Sequence, residues 1–413
     1  MRRSWNIALD TVLDIKHAFA DRFGSEGLYG YDEGNCIAYW VNRLDDPVYS
    51  RILRELSINE HDGLVLLRYG IPRDVDGVFY YDAFDGLMSE CRSVVIDVWN
   101  ERIALAPFRK FMNINECPST SMDAIRERLS RATVVEFSDK MDGSMQSARF
   151  HDGRLVMSGS RSLDRSKSLR LERGYSFIES HGNYMDMLRD NPDLTFVFEY
   201  IFDDDPHVVD YSGRDQGLYL IGIRDIRDGR EYHYHEVLNM AERYGVMSTS
   251  METMGLDEAL EHLRTVQGNE KEGFVMNIDG FRVKLKSDDY VFLNKVSWKI
   301  YEEENILNAI KNGTFDDVIS KLPPKTRAEV MPKAERAFAY MESRKSEVMQ
   351  HLETIGNLGL SEKRDVMIWI NENVPPRMVP LVRNAYLGKD IDYLHNTSVE
   401  DVFDTRKQAD QQS

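Results

Sequence analysis

Between about residues 60 and 290, apolar and polar positions alternate in short runs: "GLVLLRYG", "RSVVIDVW", "ATVVEFSD", "RLVMSGS", "LTFVFEYIF", "GLYLIGIRDI", "EGFVMNI" and "FRVKLK". A period of two is that of a β-strand with one face buried. Asp-Gly, Gly-Arg or Asn-rich turns separate the runs, as at Asp152-Gly153, Asp228-Gly229 and Asp279-Gly280. Helical spacing over 177–190 and 257–266 lies between them. The pattern predicts an α+β fold, with mostly antiparallel sheets and flanking helices. From about residue 298 the period lengthens, in "NILNAIKNG", "TFDDVISKL", "AEVMPKAERAFAYMESRKSEVMQHLETIG" and "EKRDVMIWINENV". This predicts an all-helical C-terminal domain, and hence two domains, 1–296 and 297–413. The start, "MRRSWNIALDTVLDIKHAF", is basic, but Asp10 and Asp14 interrupt its apolar positions. It reads as an amphipathic helix rather than a signal peptide, and no later stretch is apolar for long enough to span a bilayer. The tail "TRKQADQQS" reads as frayed.

A length of 413 residues agrees with one large and one smaller domain. The 42% hydrophobic and 10% aromatic content excludes wholesale disorder. A net charge of -18 disfavours non-specific adhesion to phosphates, so any nucleic-acid site must be a local basic patch. From Lys140 to Gly174 eight basic side chains (Lys140, Arg149, Arg154, Arg161, Arg165, Lys167, Arg170, Arg173) face four acids (Asp142, Asp152, Asp164, Glu172), a local excess opposite in sign to the whole. Cys36, Cys91 and Cys117 are odd in number and lack a CxxC pair, which fits reduced thiols and a cytoplasmic location.

The stretch "EFSDKMDGSMQSARF" reads as strand, tight turn, strand, with Gly143 supplying the turn and Lys140 where a strand edge meets a cleft. Such a lysine is either a solvated hairpin charge or an amine placed to attack. Glu199 sits within the apolar run "TFVFEYIF", sharing a strand face with Val197 and Ile201, and Glu272 stands at the mouth of another apolar strand. A buried carboxylate needs a cation or donors; each could form a structural salt bridge, or the two together could hold a hard cation such as Mg²⁺. "FRVKLKSDDYV" projects Arg282, Lys284 and Lys286 from one face, a row suited to a polyphosphate or to a solvated surface. A lysine becomes a nucleophile only when neutral, which requires a pKa fall of roughly three units from about 10.4. Lys284, Lys286 and a metal ion are expected to lower it, and the same cations would grip a nucleoside triphosphate.

In order along the chain, "KMDGS" (140–144), "SGS" (158–160), "FEYI" (198–201), "EGFV" (272–275) and "VKLKSD" (283–288) resemble the motifs of the covalent nucleotidyltransferase superfamily. The upstream block "ECRSVVIDVWNERIALAPFRKFMNINE" (90–116) and the helical "NGTFDDVISKL" resemble the RNA ligase 1 family, typified by the tRNA-repair ligase of T-even phages. The resemblance implies an ATP-dependent RNA ligase in which Lys140 forms lysyl-AMP. It places Arg92, Lys110, Asp142, Gly143, Lys284 and Lys286 at the ATP, with Arg92 and Lys110 later serving an RNA 5′-phosphate. It places Glu199 and Glu272 near the ribose and the metal, and Asp316 and Asp317 near a divalent ion, Mg²⁺ or Mn²⁺. The implied partner is single-stranded or nicked RNA, tRNA included, lying along residues 149–173, with no obligate protein partner, in the cytoplasm of an infected bacterium if the protein is viral. Ser158 stands where the family often has a basic residue, with Arg161 as a substitute; Met112 replaces a usual aromatic; "DPHVVDY" lacks the family's Arg. The alternatives are a GTP-dependent capping enzyme, a DNA ligase, or an inactive RNA-end-binding protein.

Overall fold

The computed structural model describes residues 4–31, 35–72, 75, 77–205, 207–322, 324–360, 362–389 and 391–403. The expected frayed tail lies outside them. The chain divides into two compact units, Met1–Tyr290 and Val291–Ser413.

The described residues of the first unit form three four-stranded antiparallel sheets. One contains β1 (Leu56–His61), β2 (Leu64–Tyr69), β3 (Arg92–Asp97) and β4 (Arg102–Leu105) in chain order. The other two are built from β5 (Val135–Lys140), β6 (Ser144–His151), β7 (Arg154–Gly159), β8 (Leu194–Ile201), β9 (Gly217–Asp225), β10 (Met251–Glu252), β11 (Gly273–Ile278) and β12 (Phe281–Lys286). Their orders are β10-β5-β11-β12 and β7-β6-β8-β9. Asp-Gly pairs close three hairpins with two-residue loops, at Asp62-Gly63, Asp152-Gly153 and Asp279-Gly280. Both residues of each pair have positive φ, the turn whose twist matches that of the flanking strands. Strand β1, "LSINEH", is absent from the apolar runs because it alternates half-buried with exposed positions at a sheet edge.

Each of the last two sheets has helices on one face. Over β7-β6-β8-β9 lie Leu169–Ser180, Gly182–Asp190 and Tyr234–Tyr244, packed on Phe196, Phe198, Tyr200 and Leu218. The single helix expected over 177–190 is two helices, parted at His181, whose backbone is extended (φ -115, ψ 96). Over β10-β5-β11-β12 lie Met122–Leu129 and Leu256–Thr265, packed on Phe137, Phe274, Met276 and Leu285.

The stretch around Lys140 differs from expectation in a way that matters. β5 and β6 are not a hairpin: β5 pairs with β10 and β11, β6 with β7 and β8. Residues 141–143 therefore cross from one sheet to the other. Gly143 is needed for space rather than for a turn, since a Cβ there would lie 2.7 Å from Tyr200 O and 2.8 Å from Glu199 Cγ.

The second unit is helical, with Glu303–Lys311, Phe315–Lys321, Pro324–Asn357, Lys363–Asn373, Val379–Tyr386 and Val399–Phe403. Its core gathers Ile306, Phe315, Val330 and Ala334 in one cluster and Val348, Val366, Ile370 and Val382 in another. The helix Asp288–Ile300 carries the chain from the first unit into the second. No helix among the described residues is long and apolar enough to cross a membrane.

Candidate active site

Lys140 ends β5, and Gly273 of β11 pairs with both Lys140 and Lys286 of β12. The three residues stand abreast, and Glu272, one residue before Gly273, is held between two ammonium groups. Lys140 Nζ is 2.7 Å from Glu272 Oε2 and Lys286 Nζ is 2.8 Å from Oε1. Gly273 has φ +154, and a Cβ on it would meet Leu285 O at 1.9 Å, so only glycine brings the strands this close. Across the crossing, Gly143 N donates to Glu199 Oε1 at 3.1 Å.

Asp142 fastens this crossing from behind. Its carboxylate accepts the backbone N–H groups of Val208 (2.8 Å) and Val209 (3.2 Å) and the Tyr290 hydroxyl (2.8 Å). His207 joins it to Asp205, at 3.4 and 2.9 Å. Asp142 is thus a positioning residue and does not line the cavity that Lys140 faces.

That cavity, of about 260 Å³, is bounded by both sheets. Met141, Met145, Ile221 and Val275 supply apolar wall; Arg92, Lys140, Arg282, Lys284 and Lys286 supply positive charge, and Glu136, Asp139 and Glu199 negative. Arg92 and Lys284 lie over the Phe111 ring at 5.0 and 4.8 Å. Arg92 Nη1 is buried with no hydrogen-bond partner. The loop carrying Lys110 and Phe111 is pinned to β12, where Lys284 N donates to Met112 O at 2.9 Å and Ile114 N to Lys284 O at 2.9 Å. Burial, with the charges of Lys110, Arg92, Lys140 and Lys286, holds the Lys284 amine well below the ordinary lysine value. Cations gathered this closely repel one another unless a polyanion lies among them.

Lys140 itself behaves otherwise than expected. Burial pushes its amine down, but the carboxylates of Glu272, Glu199 and Asp142 push harder the other way, so it stays above the ordinary lysine value. The lowered amine is that of Lys284. A further cation near Glu272 or Glu199 would weaken the carboxylates' pull on Lys140 and lower its amine. Glu199 is likewise perturbed, since burial and the charge of Glu272 push its carboxyl up to about 7 against the pull of Lys140.

A family model described as RNA ligase matches residues 90–301, just over half of the sequence. This chain belongs to that RNA ligase family. It is 28% identical over 204 residues to tRNA ligase 1 of Schizosaccharomyces pombe, a match that covers 45% of this chain and 25% of that protein. It is 23% identical over 290 residues to a putative RNA ligase of Thermovibrio ammonificans, covering 68% of this chain and 70% of the relative. The chain therefore spans a quarter of the length of the first relative and 70% of the second. Among solved structures, an archaeal ATP-dependent RNA ligase superposes with a TM-score of 0.42 at 14% identity, covering 75% of this chain and 83% of that one.

In this RNA ligase family member, several anticipated residues sit elsewhere than the cavity wall. Lys110 lines a neighbouring cavity. Asp316 and Asp317 are exposed on the first turn of the helix Phe315–Lys321, in the second unit, and no third ligand joins them among the described residues. Glu272 has both oxygens engaged by lysines. Among the described residues Glu199 keeps one oxygen without a hydrogen-bond partner, and a cation would relieve its charge, so the donor set fits one carboxylate contact to a hard divalent ion completed by phosphate oxygens and water.

Most of the basic side chains of residues 149–173 are engaged within the protein. Arg149 is buried and donates to the carbonyls of Pro192, Ile103 and Ala104. Arg154 pairs with Asp62, Arg165 with Glu172 and Glu179, Arg170 with Asp205, and Arg173 with Asp203 and Asp204. The acids that answer this local excess come mostly from other parts of the chain. Arg161 is exposed and off the cavity wall, and Ser158 is buried with its Oγ unpartnered.

One residue escaped the sequence pattern. The β2–β3 pairing passes from Leu67↔Val94 to Arg68↔Arg92, leaving Ser93 as the extra residue of a bulge, with φ 68. Its Oγ donates to Ser160 O at 2.8 Å, tying β3 to the "SGS" segment. A non-glycine residue there costs on the order of 1–3 kcal/mol. The bulge resets the alternation just where Arg92 turns into the cavity.

Proposed function

We propose that the protein is an ATP-dependent RNA ligase that seals an RNA 5′-phosphate to an RNA 3′-hydroxyl. The observation that carries the reading is the Lys140–Glu272–Lys286 array at the mouth of a cavity whose Arg92 and Lys284 have no carboxylate partner among the described residues. In the first step the neutral Lys140 amine attacks the α-phosphorus of ATP. A P–N bond forms, the bond to the bridging oxygen breaks, and pyrophosphate leaves among Arg92, Lys284 and Lys286. The amine's second proton passes to solvent. In the second step an oxygen of the RNA 5′-phosphate attacks the same phosphorus, forming a P–O–P anhydride as the P–N bond breaks and Lys140 regains its proton. In the third, the RNA 3′-hydroxyl oxygen attacks the 5′-phosphorus and gives its proton to solvent; the phosphodiester forms as the anhydride bond breaks, and AMP leaves. A divalent ion, Mg²⁺ in this reading, would be held by Glu199 with phosphate oxygens and would stabilise the charge developing on them.

Lys286 and Glu272 do double duty. They orient the Lys140 side chain before ATP arrives, and Lys286 then takes more of the Glu272 charge as Lys140 ionises to the amine. Phe111 and Val275 shape the apolar walls, which exclude water from the P–N bond.

The helical second unit supports ligation of RNA over capping or DNA ligation, because those relatives carry a β-barrel after the "VKLK" motif and no strand occurs among this unit's described residues. We extend the reading to broken tRNA as substrate and to the second unit as its shape reader, in keeping with the name of the yeast relative. We assign the adenylylation chemistry to residues 1–296 and the site of action to the cytoplasm. The test is end-joining of 5′-phosphorylated RNA, with nicked DNA and GTP as controls. Joining of RNA with ATP alone is expected; capping with GTP or sealing of DNA in preference to RNA contradicts the reading.

A further inference from the structure

The segment between β8 and β9 brings Asp205 and His207 against the crossing that follows Lys140. Each end of that crossing is tied to a buried carboxylate. At one end it is that of Asp142 itself; at the other, Ser144 Oγ donates to Asp205 Oδ2 at 2.5 Å. The His207 ring lies between the two, with Nδ1 3.4 Å from Asp142 Oδ1 and Nε2 2.9 Å from Asp205 Oδ2. Gly143, between Asp142 and Ser144, lies too close to Tyr200 O and Glu199 Cγ to admit a Cβ, so the crossing has no slack on the side of β8.

A neutral imidazole has one N–H and one bare nitrogen, and a bare nitrogen that faces a carboxylate oxygen is repelled by it. A ring with a carboxylate at each nitrogen is therefore an imidazolium. Burial pushes this ring's pKa down, but Asp205, Asp142 and Glu199 together carry it above the ordinary histidine value. The 2.9 Å contact is off the line of a hydrogen bond, so charge rather than direction holds it. Asp205 has a second cation in Arg170, 2.7 Å from its Oδ1. For Asp142, His207 is the only basic side chain at ion-pair distance among the described residues. Without the imidazolium, two buried carboxylates would face one another and Asp142 would be drawn off its backbone partners. His207, Asp142 and Asp205 are all off the walls of the Lys140 cavity and of the cavity that Lys110 lines, so this cation serves the scaffold and not the substrate.

We propose that His207, as an imidazolium bridging Asp142 and Asp205, is a positioning residue that fixes both ends of residues 142–144 and so holds the Lys140 amine in line for attack. The proposal rests on the lysyl-AMP reading above and adds to it which group fixes the nucleophile. Its effect differs between the steps. Lys140 is the attacking group in adenylate uptake, whereas the RNA 3′-hydroxyl attacks in the final sealing. Glu199, Lys284 and Lys286 are held by the ladders of β8 and β12, which do not depend on His207.

The full-length protein, His207→Gln and His207→Arg are compared in two single-turnover assays: adenylate uptake from labelled ATP with a divalent ion, and sealing of RNA supplied already adenylylated at its 5′ end. His207→Gln, which carries no charge, is expected to slow uptake about thirtyfold at saturating ATP, on the order of a misplacement of about 1 Å at the reacting atoms. The ATP concentration for half-maximal rate should stay within about twofold of wild type, and sealing should slow by less than about threefold. His207→Arg, whose planar cation can face both carboxylates, is expected to recover uptake to within about fivefold of wild type. Uptake by His207→Gln within about threefold of wild type, an equal loss in the two assays, or no recovery by His207→Arg overturns the proposal. An equal loss would mean that His207 supports the fold as a whole and not the nucleophile. Absence of adenylate uptake by wild type overturns the ligase reading instead, so the two failures are told apart.

Discussion

The segment from Arg149 to Arg173 and the wall of the Lys140 cavity both gather basic side chains, but the two regions use them differently. In the first, Arg154, Arg165, Arg170 and Arg173 each meet a carboxylate, Arg149 is consumed by backbone carbonyls, Lys167 stands 3.6 Å from Asp164, and Arg161 is exposed. In the second, Arg92 has a buried nitrogen without a partner, and Lys284 faces other cations and a ring. The first arrangement stabilises loops and helix ends. The second stores repulsion that a polyanion relieves, and that stored repulsion is what makes a binding site. Local charge excess counted along a chain therefore says little about where an anion will bind; availability in space decides it.

The comparison breaks most visibly at Lys286. Its removal takes a cation from the phosphate pocket and leaves Glu272 to Lys140 alone, which raises the Lys140 amine further. Lys286→Ala is expected to slow adenylate uptake by about 10²–10³, the scale of losing one preorganised charge contact in a transition state, in a rapid-quench assay with labelled ATP. A loss below tenfold would mean that the lysine row is only a solvated strand face.

pH sharpens the same contrast. Lys140 is held above the ordinary lysine value and the Glu199 carboxyl is pushed up to about 7, so both carry protons at pH 6 that the first step needs removed. Uptake should rise by about tenfold or more from pH 6 to pH 8, as Glu199 ionises and the neutral amine fraction grows. A flat or falling profile would show that neither group limits the step.

The smallest effect is expected in the paired segment. Arg165→Ala removes contacts to Glu172 and Glu179 at the surface, and RNA affinity and its salt dependence should stay within about twofold of wild type. A marked loss of affinity there would reinstate that segment as the RNA path.

Much of the fold was legible in local pattern. The Asp-Gly hairpins, the row of Arg282, Lys284 and Lys286, and the shift to helical spacing after residue 298 follow from periods of two and 3.6 that the structure keeps. What the pattern hid were features set by distant partners. Strand-turn-strand reads alike whether the strands pair or cross between sheets, so the crossing at Met141–Gly143 looked like a hairpin. The Ser93 bulge leaves no composition signal, and its meaning depends on Ser160, 67 residues away. Asp142 was read as an ATP contact because KxDG motifs carry it, whereas its oxygens are committed to residues 207–209 and to Tyr290. Without a metal ion the Lys140 amine stands above the ordinary lysine value for a related reason: the cations were counted from the sequence, and the 2.7 Å approach of Glu272 could not be.

The central claim is that the Lys140 amine takes up a nucleotide. Purified protein incubated with ATP and a divalent ion, then digested and examined by mass spectrometry, should carry one adenylate in a P–N linkage on the peptide containing Lys140, acid-labile and discharged by added pyrophosphate. Adenylate on another lysine, or undiminished adenylate in Lys140→Ala, would contradict the account.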